Sequence, residues 1–382
     1  MPAKTLNTNV MLKGGKLYAL SEGNKPSEMD PVTLETLGES DLGGIQSYFS
    51  AHPTTDVSTG EIFNIGIGGK NGAVDVMRLS PDGTLDKSAS FTPPASLFWH
   101  DNTITEEYVV AVTSPFAATL KRILKAFLGF GQIGKAFKWD DSLKAEAFFF
   151  SKETLELVQK VELPGSPSSY HIVNGFQEAK GGSVTVTTAN LRGERNKLEA
   201  VFRDIMGSRQ GERTRGKGAI MCDQYKYEID VTAGKVLSHG LAAPVDGSLP
   251  MELPSIDPRF VGKPHRFVYT NSKLGDVGFS NSVQRCDLQA TGEAAWQTHD
   301  FGELRYGGEP IFVPRSEDAQ EGDGYLIVLV YNARQHTTDV EVLDAQKVDA
   351  PPLFVAHIPW HMGTSFHGIF TLETYLPMDA EA

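Results

Sequence analysis

The ten histidines are the side chains of this sequence best suited to chemistry near neutral pH. Imidazole titrates there, and in its neutral form it is the commonest metal ligand. Four lie in distinctive contexts: Ala51-His52-Pro53, Trp99-His100-Asp101, Tyr170-His171-Ile172 and Phe366-His367-Gly368. They are too far apart for a local zinc motif such as H-E-x-x-H. They suit instead a fold that delivers one residue from each of several units to a common axis, where neutral imidazoles would hold a transition metal. His367 stands against Gly368, where the backbone is free to turn sharply, as a ligand aimed into a crowded site would need. His239, His265, His299 and His336 sit beside turns or charges and read as surface residues. His357 and His361 lie near the last of the four but lack a partner at a metal-like spacing.

The elements that would position these residues are short strands. Apolar or alternating runs recur at 17–20, 61–66, 74–79, 108–113, 147–150, 155–163, 183–188, 225–231, 235–239, 267–270, 286–288, 294–298, 325–331, 340–342 and 353–358. Turn dipeptides divide them, among them Thr59-Gly60, Asp82-Gly83, Ala233-Gly234 and Thr291-Gly292. Glycine turns between short β-branched and aromatic runs point to an all-β sandwich, barrel or propeller. The repeated strand-turn-strand unit favours a propeller of antiparallel blades.

Two segments break the pattern. Residues 117–128 carry Leu120, Ile123, Leu124, Phe127 and Leu128 at the spacing of one helix face, with Lys121, Arg122 and Lys125 interleaved. Such a cationic amphipathic helix suits either a sheet edge or a membrane surface. Residues 191–218 carry eight cations and four anions around a helical pattern, which reads as a solvated surface insertion. With 382 residues, 40% hydrophobic and 22% charged, the composition is globular, and closed all-β folds of this length form a single domain. A formal net charge of −13 argues against nucleic acid as a partner. Two cysteines, Cys222 and Cys286, make no disulfide framework and favour a reducing compartment. The start has no signal-peptide character, and no apolar run approaches the roughly 18 residues of a spanning helix.

Taken with their neighbours, the four histidine segments resemble the carotenoid cleavage oxygenase family, which includes retinal pigment epithelial membrane protein and lignostilbene dioxygenase. Ala51-His52-Pro53 with Asp56, Thr59, Gly60 and Glu61 resembles the segment of the first iron-binding histidine. His100-Asp101-Asn102-Thr103-Ile104-Thr105-Glu106 resembles the second, the run from His171 to Glu178 the third, and Phe366-His367-Gly368 the fourth. Glu22 in Leu20-Ser21-Glu22-Gly23, Glu252 in Met251-Glu252-Leu253-Pro254 and Glu309 in Gly308-Glu309-Pro310 resemble the family's three histidine-orienting glutamates. Phe137-Lys138-Trp139-Asp140 is a further family-like stretch.

The resemblance implies a seven-bladed β-propeller over residues 1–382, with Fe(II) on His52, His100, His171 and His367 and no catalytic side chain beyond the metal centre. Three glutamates for four histidines leave one ligand without a carboxylate, His52 by the family pattern. The implied reaction adds O2 across a conjugated C=C bond of a carotenoid or apocarotenoid to give two carbonyl products. The implied setting is a monomer in cytoplasm or plastid stroma, peripherally bound to membrane through residues 116–137, with Leu120, Leu124, Phe127 and Leu128 as docking residues. Two family motifs expected before the first glutamate, Arg-Asn-Gly-Pro and a Phe-Asp-Gly-Asp-Gly-like run, do not occur, which implies a propeller short of N-terminal strands. Trp99, where a smaller apolar residue is common, implies a narrower substrate tunnel. Ser21 stands where stilbene-cleaving members carry a phenol-binding lysine, which favours a carotenoid over a stilbenoid. Stilbenoid cleavage, isomerisation and an inactive truncated propeller are the alternatives.

Overall fold

The computed structural model describes residues 6–68, 73–93, 95–119, 121, 125, 136–165, 168–191, 222–249, 251–273, 280–363 and 366–372. These residues form six four-stranded antiparallel blades in chain order. The first blade comprises Asn9–Lys13, Lys16–Leu20, Ser27–Met29 and Thr36–Glu39. The second runs Thr54–Thr55, Ile62–Gly66, Val74–Leu79 and Leu85–Phe91, and the third Asn102–Ile104, Tyr108–Thr113, Glu146–Ser151 and Leu157–Glu162. Ser169–Gln177, Val184–Leu191, Cys222–Asp230 and Lys235–Leu241 make the fourth; Met251–Ser255, Phe267–Ser272, Ser282–Asp287 and Trp296–Asp300 make the fifth. One bridge, Cys222 to Met251, joins these two blades. In the sixth, the first strand is broken into Arg305–Gly307 and Ile311–Pro314, both paired to Gly324–Asn332, with Thr337–Asp344 and Phe354–Ile358 outside. A small sheet of Ser96–Leu97, Phe116–Ala118 and Phe137–Trp139 stands apart.

Several hairpins within the blades arise where the sequence places glycine in a conformation that L side chains resist. Gly83, between Val74–Leu79 and Leu85–Phe91, has φ +87°. The first strands pack in succession: Thr54–Thr55 on Asn102–Ile104, that strand on Ser169–Gln177, and that one on Met251–Ser255. This packing is tight. A Cβ on Gly175 would sit 2.6 Å from Thr103 Cγ2, so only glycine lets the third and fourth blades meet there.

The core lies in wedges between blades. Residues 147–150, Ala-Phe-Phe-Phe, are buried on both faces of the third blade. Phe148 and Phe150 pack with Phe63, Val74 and Val76 of the second blade. Ala147 and Phe149 pack with Val184, Val186, Tyr227 and Ile229 of the fourth. Tyr269 and Val283 likewise meet Phe312, Leu326 and Val328 across the fifth-to-sixth wedge. Period-2 alternation thus feeds two wedges from each middle strand, and a continuous apolar run results.

The expected helix over 117–128 begins as strand instead: Phe116–Ala118 pairs with Phe137–Trp139, and Lys121 and Lys125 are helical. Leu120, Ile123, Leu124, Phe127 and Leu128 lie outside the described residues, as does all of the 191–218 insertion but its first residue. No helix among the described residues is long and apolar enough to cross a membrane.

An ion pair ties the second blade to the third. Lys152 Nζ donates to Asp56 Oδ2 at 2.5 Å and lies 5.2 Å from the centre of the Phe63 ring. Burial alone would raise the Asp56 carboxyl, but Lys152 and Ser58 hold it at about 2, below the ordinary 3.8. A carboxyl depressed by folding stabilises the fold above its unfolded pKa, and that contribution is lost as pH falls through the folded value. The Tm deficit of Lys152→Met relative to wild type is therefore expected to be constant from pH 7 to about 4 and to shrink from there towards pH 2. A deficit that persisted unchanged below pH 4 would show that the pair adds nothing through charge.

Candidate metal centre

Five of the seven site residues sit in or beside the first strand of a blade, whereas Glu22 and His367 follow other strands. Glu22 follows Lys16–Leu20 of the first blade, His52 precedes Thr54–Thr55, and His100 precedes Asn102–Ile104. His171 lies in Ser169–Gln177, Glu252 in Met251–Ser255, and Glu309 in the break between Arg305–Gly307 and Ile311–Pro314. His367 follows the last described strand. Stitching hydrogen bonds fix the first two histidine segments to each other. Ser50 Oγ donates to the His100 carbonyl at 2.6 Å and accepts from His52 N at 3.1 Å. Asn102 Nδ2 donates to the His52 carbonyl at 2.5 Å. Asp101 joins the second segment to the third, its carboxylate accepting Asn102 N and Ile172 N, each at 2.7 Å.

All four histidines converge. His100 Nε2 and His171 Nε2 are 3.3 Å apart. The His52 ring centre is 4.5 Å from those of His100 and His367 and 5.1 Å from that of His171, and His171 and His367 are 5.1 Å apart. One nitrogen from each of His52, His100 and His171 lies within 4.8 Å of the others, close enough to hold one metal ion. The nitrogens facing away from this point meet carboxylates: His171 Nδ1 and Glu252 Oε2 at 2.6 Å, His367 Nδ1 and Glu309 Oε1 at 3.0 Å, His100 Nδ1 and Glu22 Oε1 at 3.1 Å. Such contacts fix ring orientation and raise ligand basicity. Among the described residues His52 has no carboxylate partner, and its Nε2 is buried without a hydrogen bond. A bare buried nitrogen in a group of histidines that could hold a metal ion is available as a ligand atom.

The electrostatics agree. Burial, then the three neighbouring imidazoles, drive His52 well below its ordinary pKa, so its lone pair is free. Burial also opposes a charged His171, but Glu252, helped by Asp101 and Glu309, outweighs it and pushes the imidazole up to about 9. Burial raises the carboxyls of Glu22 and Glu252, yet His100 and His171 bring both below the ordinary range. Burial pushes Asp101 up. An imidazole so placed holds a proton until a metal cation takes that position.

Several sequence expectations change here. Trp99 does not narrow a channel: it is buried in the second-to-third wedge, its ring centre 4.9 Å from that of Phe148. Phe98, one residue earlier and on the opposite face, stacks on His100 at 5.5 Å and 17°. Phe98 and Tyr170 pack with Phe116, Phe137 and Trp139 in an aromatic wall beside the histidines. Gly368 is not a sharp turn with positive φ; its N–H donates to Glu309 Oε2 at 3.1 Å, and a Cβ there would sit 3.2 Å from Ile311 Cδ1. His265 and His299 are not surface residues. Burial drives His265 down to about 4, and His299 Nε2 sits 3.1 Å from the buried Glu341. Asp101, Ser50 and Asn102 carried the only signal of their roles in lying one or two residues from a histidine.

A family model described as retinal pigment epithelial membrane protein matches residues 2–372. The carotenoid 9,10(9',10')-cleavage dioxygenase 1 of Arabidopsis thaliana is 27% identical over 97% of this chain and 67% of its own length. The apocarotenoid-15,15'-oxygenase of Synechocystis is 27% identical over 95% of this chain and 72% of its own. The lignostilbene-alpha,beta-dioxygenase isozyme III of Sphingomonas paucimobilis is 27% identical over 98% and 76%. Cobalt-substituted Synechocystis apocarotenoid oxygenase superposes with a TM-score of 0.80 at 24% identity, over 95% of this chain and 73% of that one. The fold is thus the seven-bladed β-propeller of those oxygenases, and the described residues supply six of its four-stranded sheets.

Replacing Glu252 by Gln keeps the shape but gives up the charge that orients His171. Affinity for Co2+, followed by its absorption bands, is expected to fall about ten- to a hundred-fold. In the wild type, affinity should climb with pH to about 9 as His171 releases its proton, and the variant's climb should end at lower pH. Unchanged affinity and pH profile would remove Glu252 from the site.

Proposed function

This chain belongs to the carotenoid cleavage oxygenase family, the family of retinal pigment epithelial membrane protein, and on that premise we propose that it is an Fe(II)-dependent dioxygenase that cleaves a conjugated C=C bond of a carotenoid or apocarotenoid. The observation that carries the proposal is the convergence of four imidazoles, three of them backed by carboxylates. An all-imidazole set suits a divalent iron and leaves coordination positions open for small molecules. When bound, iron supplies the redox chemistry by which O2 and one C=C bond become two C=O groups, one oxygen atom in each product.

The protein's own share is binding, orientation and exclusion of water. His52, His100, His171 and His367 would hold the ion. Glu22, Glu252 and Glu309 would fix three of the rings, each accepting the outward N–H, while burial keeps His52 neutral without such a partner. Phe98, Phe116, Phe137 and Trp139 offer an apolar wall on which a polyene can lie. The carotenoid reading is favoured over a stilbenoid one by Ser21, which is buried, accepts from Asn24 Nδ2 at 3.0 Å and offers no cation to a phenolic oxygen. Residues 116–137 would complete the assembly as a peripheral membrane contact through Leu120, Leu124, Phe127 and Leu128, delivering a substrate that dissolves in lipid.

Purified protein is expected to carry near-stoichiometric iron and to release aldehyde products from an apocarotenal under O2, with His171→Ala abolishing both. Iron and cleavage surviving in that variant would sink the four-histidine assignment. Aldehydes from a stilbenoid alone would shift the reaction to the lignostilbene side of the family. In liposome flotation, Leu124→Glu with Phe127→Glu is expected to release the protein from vesicles without loss of iron; unchanged flotation would place the membrane contact elsewhere.

A further inference from the structure

One polar group beside the centre has no task in that scheme. Ser169–Gln177 shifts register against Val184–Leu191 between Ser169 and Ile172. Such a bulge takes side chains out of strict alternation and re-aims them. Tyr170 and His171, adjacent in sequence, therefore both approach the site. The Tyr170 ring stands edge-on to His100, with centres 5.2 Å apart, and is 6.4 Å from His171 and 5.8 Å from Phe98. It packs with Phe116, Phe137 and Trp139, and the Glu252 and Glu22 carboxylates lie near enough to act on its hydroxyl without a hydrogen bond to it.

The Tyr170 hydroxyl is enclosed there and meets no hydrogen-bond partner among the described residues. A buried hydroxyl left unpaired costs folding free energy, and a phenylalanine would fill the same space without that cost. Two other such atoms beside the centre, Glu22 Oε1 and His100 Nδ1, face each other at 3.1 Å, and His52 Nε2 belongs to the converging imidazoles. Aromatic rings give the Tyr170 donor no strong acceptor, and neither does a hydrocarbon polyene. A carbonyl or hydroxyl oxygen does. In a wall otherwise aromatic, such an oxygen would lose its water and gain nothing but this one donor.

We propose that Tyr170 Oη donates a hydrogen bond to an oxygen of the bound substrate, so that the site selects an oxygenated polyene, such as an aldehyde, ketone or alcohol, over the hydrocarbon of equal length. This inference rests on the carotenoid-oxygenase reading and narrows its substrate class. The oxygen is held beside the metal position rather than at a distant mouth, because Tyr170 borders two of the histidines themselves. A site built around such a donor discriminates by leaving it unpaired when the wrong substrate enters.

The test is equilibrium binding to iron-loaded protein without O2, which separates recognition from turnover. The probes are a conjugated polyene aldehyde and the hydrocarbon of the same length, each followed by its own absorption shift. Wild type is expected to bind the aldehyde about tenfold more tightly than the hydrocarbon, as one neutral hydrogen bond allows. Tyr170→Phe should weaken the aldehyde about tenfold and leave the hydrocarbon unchanged, the latter also showing that the wall still folds. Equal effects on both probes, or none on either, would overturn the role of Tyr170 while leaving the oxygenase reading intact. Iron-loaded wild type that bound neither polyene would overturn the carotenoid reading and this inference with it.

Discussion

Four buried or half-buried carboxylates, Asp101, Glu22, Glu252 and Glu309, surround four imidazoles near the axis of the propeller, and that concentration of charge governs the rest of the molecule. Among the described residues their partners are histidine nitrogens, backbone N–H groups and the Cys222 thiol, not lysine or arginine. Ionised carboxylates in such surroundings are costly unless something cationic joins them. His171 fits this requirement: Glu252, helped by Asp101 and Glu309, outweighs burial and favours a positive charge at its ring. His52 shows the complement, held neutral by burial and by its three cationic-prone neighbours. One end of the set calls for positive charge and the other offers a bare lone pair, a combination a divalent cation satisfies and a proton does not.

Holding ligands from four separate stretches of chain to a fraction of an ångström demands rigid supports. The blades provide them because their cores lie between them. Phe148, Phe149 and Phe150 lock the third blade to both neighbours, so His100 cannot drift relative to His52 or His171 without disrupting two wedges. Ser50, Asn102 and Asp101 then convert that coarse registration into a fine one through backbone groups of the ligand segments themselves. Gly175 belongs to the same design, since any side chain there would push the third and fourth blades apart beside the centre.

What could be read in the sequence follows from this division. Middle strands announce themselves, since 108–113, 147–150 and 325–331 are apolar runs bounded by turns; 147–150 is buried on both faces and 325–331 on one. First strands do not. Thr54–Thr55 and Asn102–Ile104 are two and three residues long and rich in Thr and Asn, and the sixth blade's first strand is broken into Arg305–Gly307 and Ile311–Pro314. Their neighbours, not their own hydrophobicity, keep them extended. His52 and His100 stand just before two of these quiet strands, so no periodicity leads to them; the histidines stood out by residue type and by resemblance. Glu22, Glu252 and Glu309 had no local signal of pairing at all, since each meets a histidine 58 to 81 residues away. His265 and His299 were misjudged for the matching reason: flanking turns and charges say nothing of what packs over a side chain from another blade.

The contrast between Trp99 and Phe98 carries that point into the chemistry. A strand sends successive side chains to opposite faces, so a single residue of register decides which ring meets the core and which meets the ligand. Leu97 and Trp99 go to the wedge, Phe98 and His100 to the centre. In Ser169–Gln177 the same rule would send Tyr170 away from His171, and the bulge suspends it, adding one ring and one hydroxyl to the wall. The wall's composition is thus a matter of register, not of hydrophobicity. Phe98 gives a flat apolar face over the His100 imidazole, and Tyr170 gives the same face with a polar tip. A polyene can use the first at any point along its length, whereas the second has value only where the chain bears an oxygen. Where along the polyene that oxygen lies then decides which double bond is presented to the histidines.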